Sequence, residues 1–333
     1  MAQAHYSAYD YITQNNRKTW LLVLLFPISF MLIVSLACLA AVFLVGDMNM
    51  LIEGTHFLPQ KLQPVNASKL SAALGFAWSV AIPTLIAAFV WLAISYFFGD
   101  KMMMSLARAK AITKQDAPKL YRTVQNVAMM SGLPCPQVYI IEDDSLNAFA
   151  SGHNPKTASI AITRGLLEKL TPLEMEGVIA HEMAHICNRD IRLNMLIITG
   201  LGVFGFIGEY MFRSGLYSNR NRKSNSKSSG QAAVLVLFIA LAFVIFNYLV
   251  APLIQMAVSR TREYAADATG AKIIHNPKAL ADALEKINGN SNVASLKGQK
   301  MMALACIAPP FALKGMMSTH PPIEDRIKKL RAM

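Results

Sequence analysis

The stretch His181-Glu182-Met183-Ala184-His185 decides the fold of this 333-residue chain. On an α-helix, two histidines with this spacing lie about 40° apart around the axis and about 6 Å apart along it. Both can therefore bind one tetrahedral zinc ion, and Glu182 lies where it can take a proton from a zinc-bound water. The alternative is that both histidines are ordinary buried side chains, which leaves Glu182 unexplained on an otherwise apolar part of a helix.

The residues before this motif carry the start signals of a helix. Thr171 can cap the first turn, Pro172 suits the first helical position, and Glu174 completes a capping box with Thr171. The residues that flank the motif at 178–180 and 186–187 are uncharged. We therefore predict a buried helix that carries the zinc ligands.

Composition indicates a membrane protein, since 54% of the residues are hydrophobic and only 16% are charged, against about 25% charged in a typical soluble domain. Four apolar stretches account for the difference, and each exceeds the roughly 18 residues that cross a bilayer as a helix. We predict transmembrane helices at 20–45 and 77–98, and a hydrophobic hairpin at 191–258 that is either two further transmembrane helices or re-entrant. The polar segments 99–190 and 259–333 are then the two parts of one catalytic domain.

Basic residues predict the orientation of these helices. Arg17 and Lys18 precede the first apolar stretch, and Lys101 and Arg108 follow the second, whereas acidic and basic residues balance in the segment between them. The positive-inside rule therefore places residues 1–19 and the zinc helix in the cytoplasm. The loop inside the hydrophobic hairpin is also basic, which conflicts with this rule if both stretches cross. We favour two crossings with this loop outside, and a re-entrant or interfacial hairpin is the alternative.

The net charge of +12 does not predict nucleic-acid binding. The basic residues cluster at the ends of the apolar stretches, where lipid headgroups lie, and no nucleic-acid motif occurs. The four cysteines form no Cys-x-x-Cys pair, so we expect no disulfide framework. The lipid bilayer is the expected partner, and the sequence carries no signal for an oligomeric state.

Two histidines need a third protein ligand, with the fourth position left for water. One class of zinc protease has a third histidine six residues after the second, but Ile191 stands there, and Asn188 replaces that class's glycine. The other large class uses a glutamate on a later helix. Glu263 and Asp267 share one helical face, so Glu263 can bind the metal while Asp267 accepts a hydrogen bond from a ligating imidazole. The alternative is a solvated charged face, because such pairs are common on helix surfaces.

The combination of His181-Glu182-x-x-His185 with Ser259-Arg-x-Arg-Glu263-Tyr-x-Ala-Asp267 resembles the HtpX family of bacterial membrane zinc metalloproteases, which is related to the CAAX prenyl endopeptidases of eukaryotes. Two further stretches resemble the family's substrate-binding edge strand and its C-terminal His-Pro…Arg motif; they are Asn147-Ala148-Phe149-Ala150-Ser151-Gly152 and His320-Pro321-Pro322-Ile323-Glu324-Asp325-Arg326.

The expected fold is a mainly α membrane protein. Four hydrophobic helices would carry a cytoplasmic α+β catalytic domain of the zincin-like (gluzincin) type. Residue patterns predict strands at 137–141, 147–151 and 158–163, which would form a small antiparallel sheet beside the zinc helix. An extended peptide could pair with an exposed edge of this sheet. The resemblance assigns that edge to Asn147, Ala148, Phe149 and Ala150, and the alternative is an interior strand.

The resemblance also implies roles near the C-terminus. His320 would donate a hydrogen bond to the oxyanion that forms during peptide hydrolysis, although by itself it looks like a surface histidine in a proline-rich turn. Arg326 would bind substrate or support the active site, and a surface salt bridge is the alternative.

The function implied is that of a zinc endopeptidase, with one zinc ion per chain, in the bacterial inner membrane as a multi-pass protein. Its substrates would be misfolded or damaged membrane proteins, cleaved on the cytoplasmic side in quality control and the stress response. The rivals are a non-proteolytic membrane scaffold or chaperone with a structural zinc site, and a prenyl-protein endopeptidase. A transporter would need more polar residues within the spans.

Overall fold

The structure is a computed structural model that describes residues 8–45, 69–200, 210, 238–245, 260–288, 306–307 and 321–333. It begins with two long helices, α1 (Ala8–Val45) and α2 (Lys69–Leu106). Within them, Thr19–Ala40 and Ala77–Leu106 are long and apolar enough to cross a membrane. The predicted spans 20–45 and 77–98 lie inside these helices.

The chain divides into two compact units, and one of them consists of Leu21–Ala93 and Leu201–Leu253. One side of α1 is buried within this unit at four positions spaced four residues apart, namely Phe26, Phe30, Val34 and Cys38. The opposite side is as apolar as the buried one, and Leu36 is 62% exposed. A continuous exposed apolar surface of this kind suits contact with lipid.

Most of the predicted hairpin at 191–258 lies outside the described residues. Residues 191–200 and 238–245 are helical, and among the described residues only α1 and α2 qualify as candidate spans. The structure is therefore mostly helical with two candidate membrane helices.

The second unit carries the catalytic motifs. Its strands are β1 (Lys110–Ala111), β2 (Gln137–Ile141), β3 (Ala148–Ser151) and β4 (Ser159–Thr163). Its helices are α3 (Pro118–Met130), α4 (Arg164–Lys169), α5 (Pro172–Cys187), α6 (Arg260–Ile274), α7 (Pro277–Ile287) and α8 (Ile323–Arg331), and a 3-10 turn covers Pro155–Thr157.

The four strands form a mixed sheet in the order β1-β2-β4-β3. The β1–β2 and β3–β4 pairs are antiparallel, but β2 and β4 are parallel, so the prediction of an antiparallel sheet is wrong. The chain reverses direction between β2 and β3 and again between β3 and β4, so β4 runs in the direction of β2. It then lies between β2 and β3 and is buried at every position, as an interior strand requires. The two-residue β1 was too short to predict.

Two glycines allow the helices of this unit to approach α5 closely. A Cβ atom at Gly177 would lie 2.7 Å from the backbone nitrogen of Leu280 on α7, and one at Gly270 would lie 3.0 Å from the backbone of Ala180. Contacts this short exclude a larger side chain unless the backbones move apart. Because Gly270 lies two turns after Glu263 on the same face of α6, this approach brings Glu263 towards α5.

Candidate metal and catalytic site

Helix α5 begins as the sequence predicts. The Thr171 hydroxyl accepts a hydrogen bond from the Glu174 backbone N–H at 3.4 Å, and the Glu174 carboxylate accepts one from the Thr171 N–H at 2.7 Å. Lys286 on α7 adds an ion pair to Glu174 at 2.7 Å. Burial raises the pKa of Glu174, but Lys286 and the Thr171 hydrogen bonds outweigh it, so the pKa lies below its usual value.

The three predicted metal ligands lie together and are buried. The Nε2 atoms of His181 and His185 are 3.2 Å apart, and each lies 3.7 Å from a carboxylate oxygen of Glu263. Ligands on a tetrahedral zinc ion with bonds of about 2.0–2.1 Å lie about 3.4 Å from one another. Two imidazoles and one carboxylate at these separations fit a zinc site that keeps one position for substrate or water.

The charges of the buried groups also fit a divalent cation. The buried carboxylates of the described site are Glu182, Asp190, Glu263 and Asp267, and the buried guanidiniums are Arg262 and Arg326. When the imidazoles are neutral, as metal binding requires, and the four carboxyl groups are ionised, four negative groups face two positive ones. Buried charge of one sign is costly unless it is compensated, and a zinc ion carries the charge required.

Asp267 lies behind His181, where the sequence predicts it. Its Oδ1 is 2.9 Å from His181 Nδ1, and Arg326 donates to both of its oxygens, from Nε at 2.8 Å and from Nη2 at 2.7 Å. Burial raises the pKa of Asp267, but Arg326 and His181 outweigh this effect and hold the pKa well below its usual range. Asp267 therefore stays ionised and can accept the His181 Nδ1–H.

Arg326 has no exposed surface. Its Nη1 lies 3.5 Å from Glu263 and donates to the Ile307 carbonyl at 2.9 Å. Burial lowers the pKa of Arg326, but the charges of Asp267 and Glu263 raise it by more. The pKa of Arg326 therefore lies above its usual value. The alternative of a surface salt bridge is wrong, because the ion pair with Asp267 is buried.

Glu182 is buried between the two histidines and the sheet. Burial raises the pKa of its carboxyl, although the charges of His181 and His185 and a hydrogen bond from the Ala150 N–H oppose the shift. Its Oε1 has no hydrogen-bond partner among the described residues. A carboxylate oxygen that has no other hydrogen-bond partner beside a metal site can accept a proton from water.

The predicted edge strand lies at the end of the described sheet, as β3. Asn147 accepts a hydrogen bond from Thr163 of β4, so the backbone polar groups of Ala148 and Ala150 face away from β4. The Ala148 carbonyl accepts from the Ile307 N–H at 2.9 Å, and the Ala150 N–H donates to Glu182. A hydrogen bond therefore connects the edge strand to Glu182 of the site. Phe149, which lies between Ala148 and Ala150 in the strand, is buried.

The sequence did not predict one feature, which is a buried carboxylate behind the second histidine. Asp190 Oδ2 lies 2.8 Å from His185 Nδ1, and Arg262 lies 3.6 Å from the other oxygen of Asp190. Burial lowers the pKa of His185, but Asp190 and Glu263 outweigh it and raise the pKa to about 9. His320 lies outside the described residues, so its predicted place in the site stays a prediction.

A family model and curated relatives both match this chain over most of its length. The model for peptidase family M48 matches residues 114–333. The "Protease HtpX homolog" of Tropheryma whipplei (strain Twist) is 40% identical over 78% of this chain and 87% of that protein. The homolog of the same name from Dictyoglomus thermophilum is 32% identical over 98% of this chain and 95% of its own. Among solved structures, S. mikatae Ste24p matches with a TM-score of 0.43 and 20% identity, over 77% of this chain and 58% of that chain.

Proposed function

The chain belongs to peptidase family M48, and on that premise we propose that it is a zinc endopeptidase that cleaves misfolded or damaged membrane proteins on the cytoplasmic side of the bacterial inner membrane. Protease HtpX homologues that align over most of the chain support this activity. The observation that carries the proposal is the group of His181, His185 and Glu263, whose donor atoms lie 3.2–3.7 Å apart beside Glu182.

The proposed chemistry divides between the metal and the chain. A bound zinc ion supplies a Lewis acid that polarises the peptide carbonyl and acidifies water. Glu182 takes one proton from the attacking water as the new C–O bond forms. It then gives that proton to the leaving amine nitrogen as the C–N bond breaks. Glu182 suits both transfers because it lies beside the ligand group and its Oε1 has no hydrogen-bond partner among the described residues.

Asp267 supports the site from behind, by accepting the Nδ1–H of His181. The complete burial of Arg326 favours a role in holding Asp267 over a contact with substrate. His320 is proposed as the hydrogen-bond donor to the oxyanion, on the strength of its match to the family's C-terminal motif.

Substrate recognition is assigned to the outer side of β3, from Asn147 to Ala150. A peptide that pairs with this strand would use the outward polar groups of Ala148 and Ala150, which places its backbone next to Glu182. Pairing at the Ala148 carbonyl would replace the hydrogen bond from Ile307, and pairing at the Ala150 N–H would replace its hydrogen bond to Glu182. Recognition through backbone hydrogen bonds depends little on side-chain identity, as a protease of unfolded proteins requires.

The proposed topology is multi-pass, with two further crossings or a re-entrant hairpin at 191–258. The apolar exposed surface of α1 supports membrane insertion. The basic residues at both cytoplasmic ends, Arg17 and Lys18 before the first span and Lys101 and Arg108 in and after the second, support the orientation.

The test uses the purified full-length chain in detergent, with casein or an unfolded membrane protein as substrate. Glu182→Gln is expected to keep wild-type zinc content by elemental analysis and to lose activity by about 10²–10⁴-fold or more. Glu324→Gln, an exposed glutamate on α8, is the matched control and should cleave like wild type. Undiminished cleavage by Glu182→Gln would reject the mechanism, and a zinc-free, inactive wild type would reject the function.

A further inference from the structure

We propose that Asp190, held in place by Arg262, is a positioning residue that orients His185 and determines which of its ring nitrogens faces the metal. This inference rests on the proposed zinc site. It concerns Asp190, which neither the quoted motifs nor the proposed mechanism includes, and Arg262, which the motif at 259–267 contains without an assigned role. The observation behind it is the distance of 2.8 Å between His185 Nδ1 and Asp190 Oδ2, with both side chains buried.

A break in the helix makes this contact possible. In a continuous α-helix, a residue five positions after His185 would lie about 140° around the axis and could not reach its ring. Helix α5 ends at Cys187, and Arg189 has a φ of +61°. Helical structure resumes at Asp190. The left-handed backbone at Arg189, which is uncommon for a residue other than glycine, redirects the chain so that the Asp190 carboxylate turns back towards His185.

Arg262 compensates the buried charge of Asp190. Its Nη1 lies 3.6 Å from Asp190 Oδ1, and its Nη2 donates to Asn194 Oδ1 at 2.8 Å. Asn194 lies one turn after Asp190, so Arg262 contacts the same helix at two points. Arg262 also directly precedes Glu263. Helix α6 therefore supplies the third ligand, Glu263, and also holds Asp190, which contacts the second ligand, His185.

The result is the same arrangement behind each histidine. Asp267 lies 2.9 Å from His181 Nδ1 and forms an ion pair with the buried Arg326. In the same way, Asp190 contacts His185 Nδ1 and pairs with the buried Arg262. When Nδ1–H donates to a carboxylate, the Nε2 atom carries a lone pair. The two Nε2 atoms lie 3.2 Å apart. A proton can lie between them without a metal, and a metal ion that replaces this proton would bind both lone pairs. Asp190 thus prepares His185 to bind a metal ion.

The experiment measures zinc affinity, which does not depend on catalysis. Competition with a chromophoric chelator gives the Kd for zinc of the full-length protein and of Asp190→Asn. The amide can still contact the ring but does not enforce Nδ1–H, so we expect about 10–100-fold weaker binding. Asp282→Asn on α7, which removes a partly exposed ion pair with Arg331 of α8, is the matched control and should bind zinc like wild type. An unchanged Kd in Asp190→Asn would overturn the proposal.

A second variant distinguishes the positioning role of Asp190 from a general loss of stability. The distinction is needed because Asp190→Asn leaves Arg262 buried without its charge partner. The double variant Asp190→Asn/Arg262→Gln removes both charges and should recover thermal stability. Zinc binding that stays about 10–100-fold weaker in this variant supports positioning. Recovery of zinc affinity together with stability would refute it. If wild type itself neither binds zinc nor cleaves casein, the proposed function fails; if wild type does both and only the variant prediction fails, this inference alone is lost.

Discussion

Replacing Arg326 with methionine is predicted to cause a large loss of stability, although the side chain lies outside the His181–His185 motif. Arg326 donates two hydrogen bonds to Asp267, at 2.8 and 2.7 Å, and one to the Ile307 carbonyl at 2.9 Å, without any exposed surface. Methionine matches much of its length but leaves the Asp267 carboxylate buried without its cation. Removing one partner of a buried ion pair costs about 3–5 kcal/mol, a large part of the roughly 5–15 kcal/mol that stabilises a typical protein.

The assay is equilibrium urea unfolding of the full-length chain in detergent, followed by far-UV circular dichroism, with excess EDTA so that metal binding does not contribute. The matched control is Arg331→Met on the same helix. Arg331 pairs with Glu285 at 2.6 Å but is 49% exposed, and an exposed pair contributes about 0–1 kcal/mol. The double variant Arg326→Met/Asp267→Leu should regain more than half of the loss, because no charge is left buried at that pair. A free energy of unfolding for Arg326→Met within about 1 kcal/mol of Arg331→Met would refute this account of the buried pair.

Two further changes test the ligand set and the start of α5. Glu263→Ala should lose bound zinc, measured by elemental analysis after dialysis, and a normal zinc content would remove Glu263 from the ligands. Glu174→Gln should lower the melting temperature at neutral pH, because the lowered pKa of Glu174 means that its ionised form is bound more strongly in the folded state by Lys286 and Thr171. This contribution is fully present above the unfolded pKa of about 4.3 and is lost as the pH falls through the lower folded value. The melting curves of wild type and Glu174→Gln should therefore converge in acid, and a difference that persists there would contradict the assignment.

Local signals in the sequence predicted local structure well. Thr171, Pro172 and Glu174 placed the start of α5, because a capping box involves residues within one turn of each other. The spacing of His181 and His185 predicted for the same reason that their ring nitrogens lie together. Glu263 was harder to predict, because it lies 78 residues after His185 in the sequence. A charged pair on one helical face is equally typical of a solvated surface, and the resemblance to a known family was needed to choose.

Local sequence signals predicted the strands of the sheet but did not predict their pairing. The strands at 137–141, 147–151 and 158–163 were predicted to within one residue, but their pairing was not. Alternation of side chains reports which residues are buried and says nothing about which strand lies beside which. The parallel pairing of β2 with β4 joins residues 22 positions apart in sequence, such as Gln137 and Ser159, which no local pattern relates.

The sequence by itself determined the chemistry of this protein: two histidines and a glutamate on one helix, an acidic pair on a later helix, and long apolar stretches typical of a membrane. Only the tertiary structure decided how those groups are supported. A left-handed residue at Arg189 returns Asp190 to His185, and Gly270 lets α6 approach α5. Both depend on backbone geometry and on contacts between distant segments. Helical periodicity, which relates only residues a few positions apart, carries no information about either.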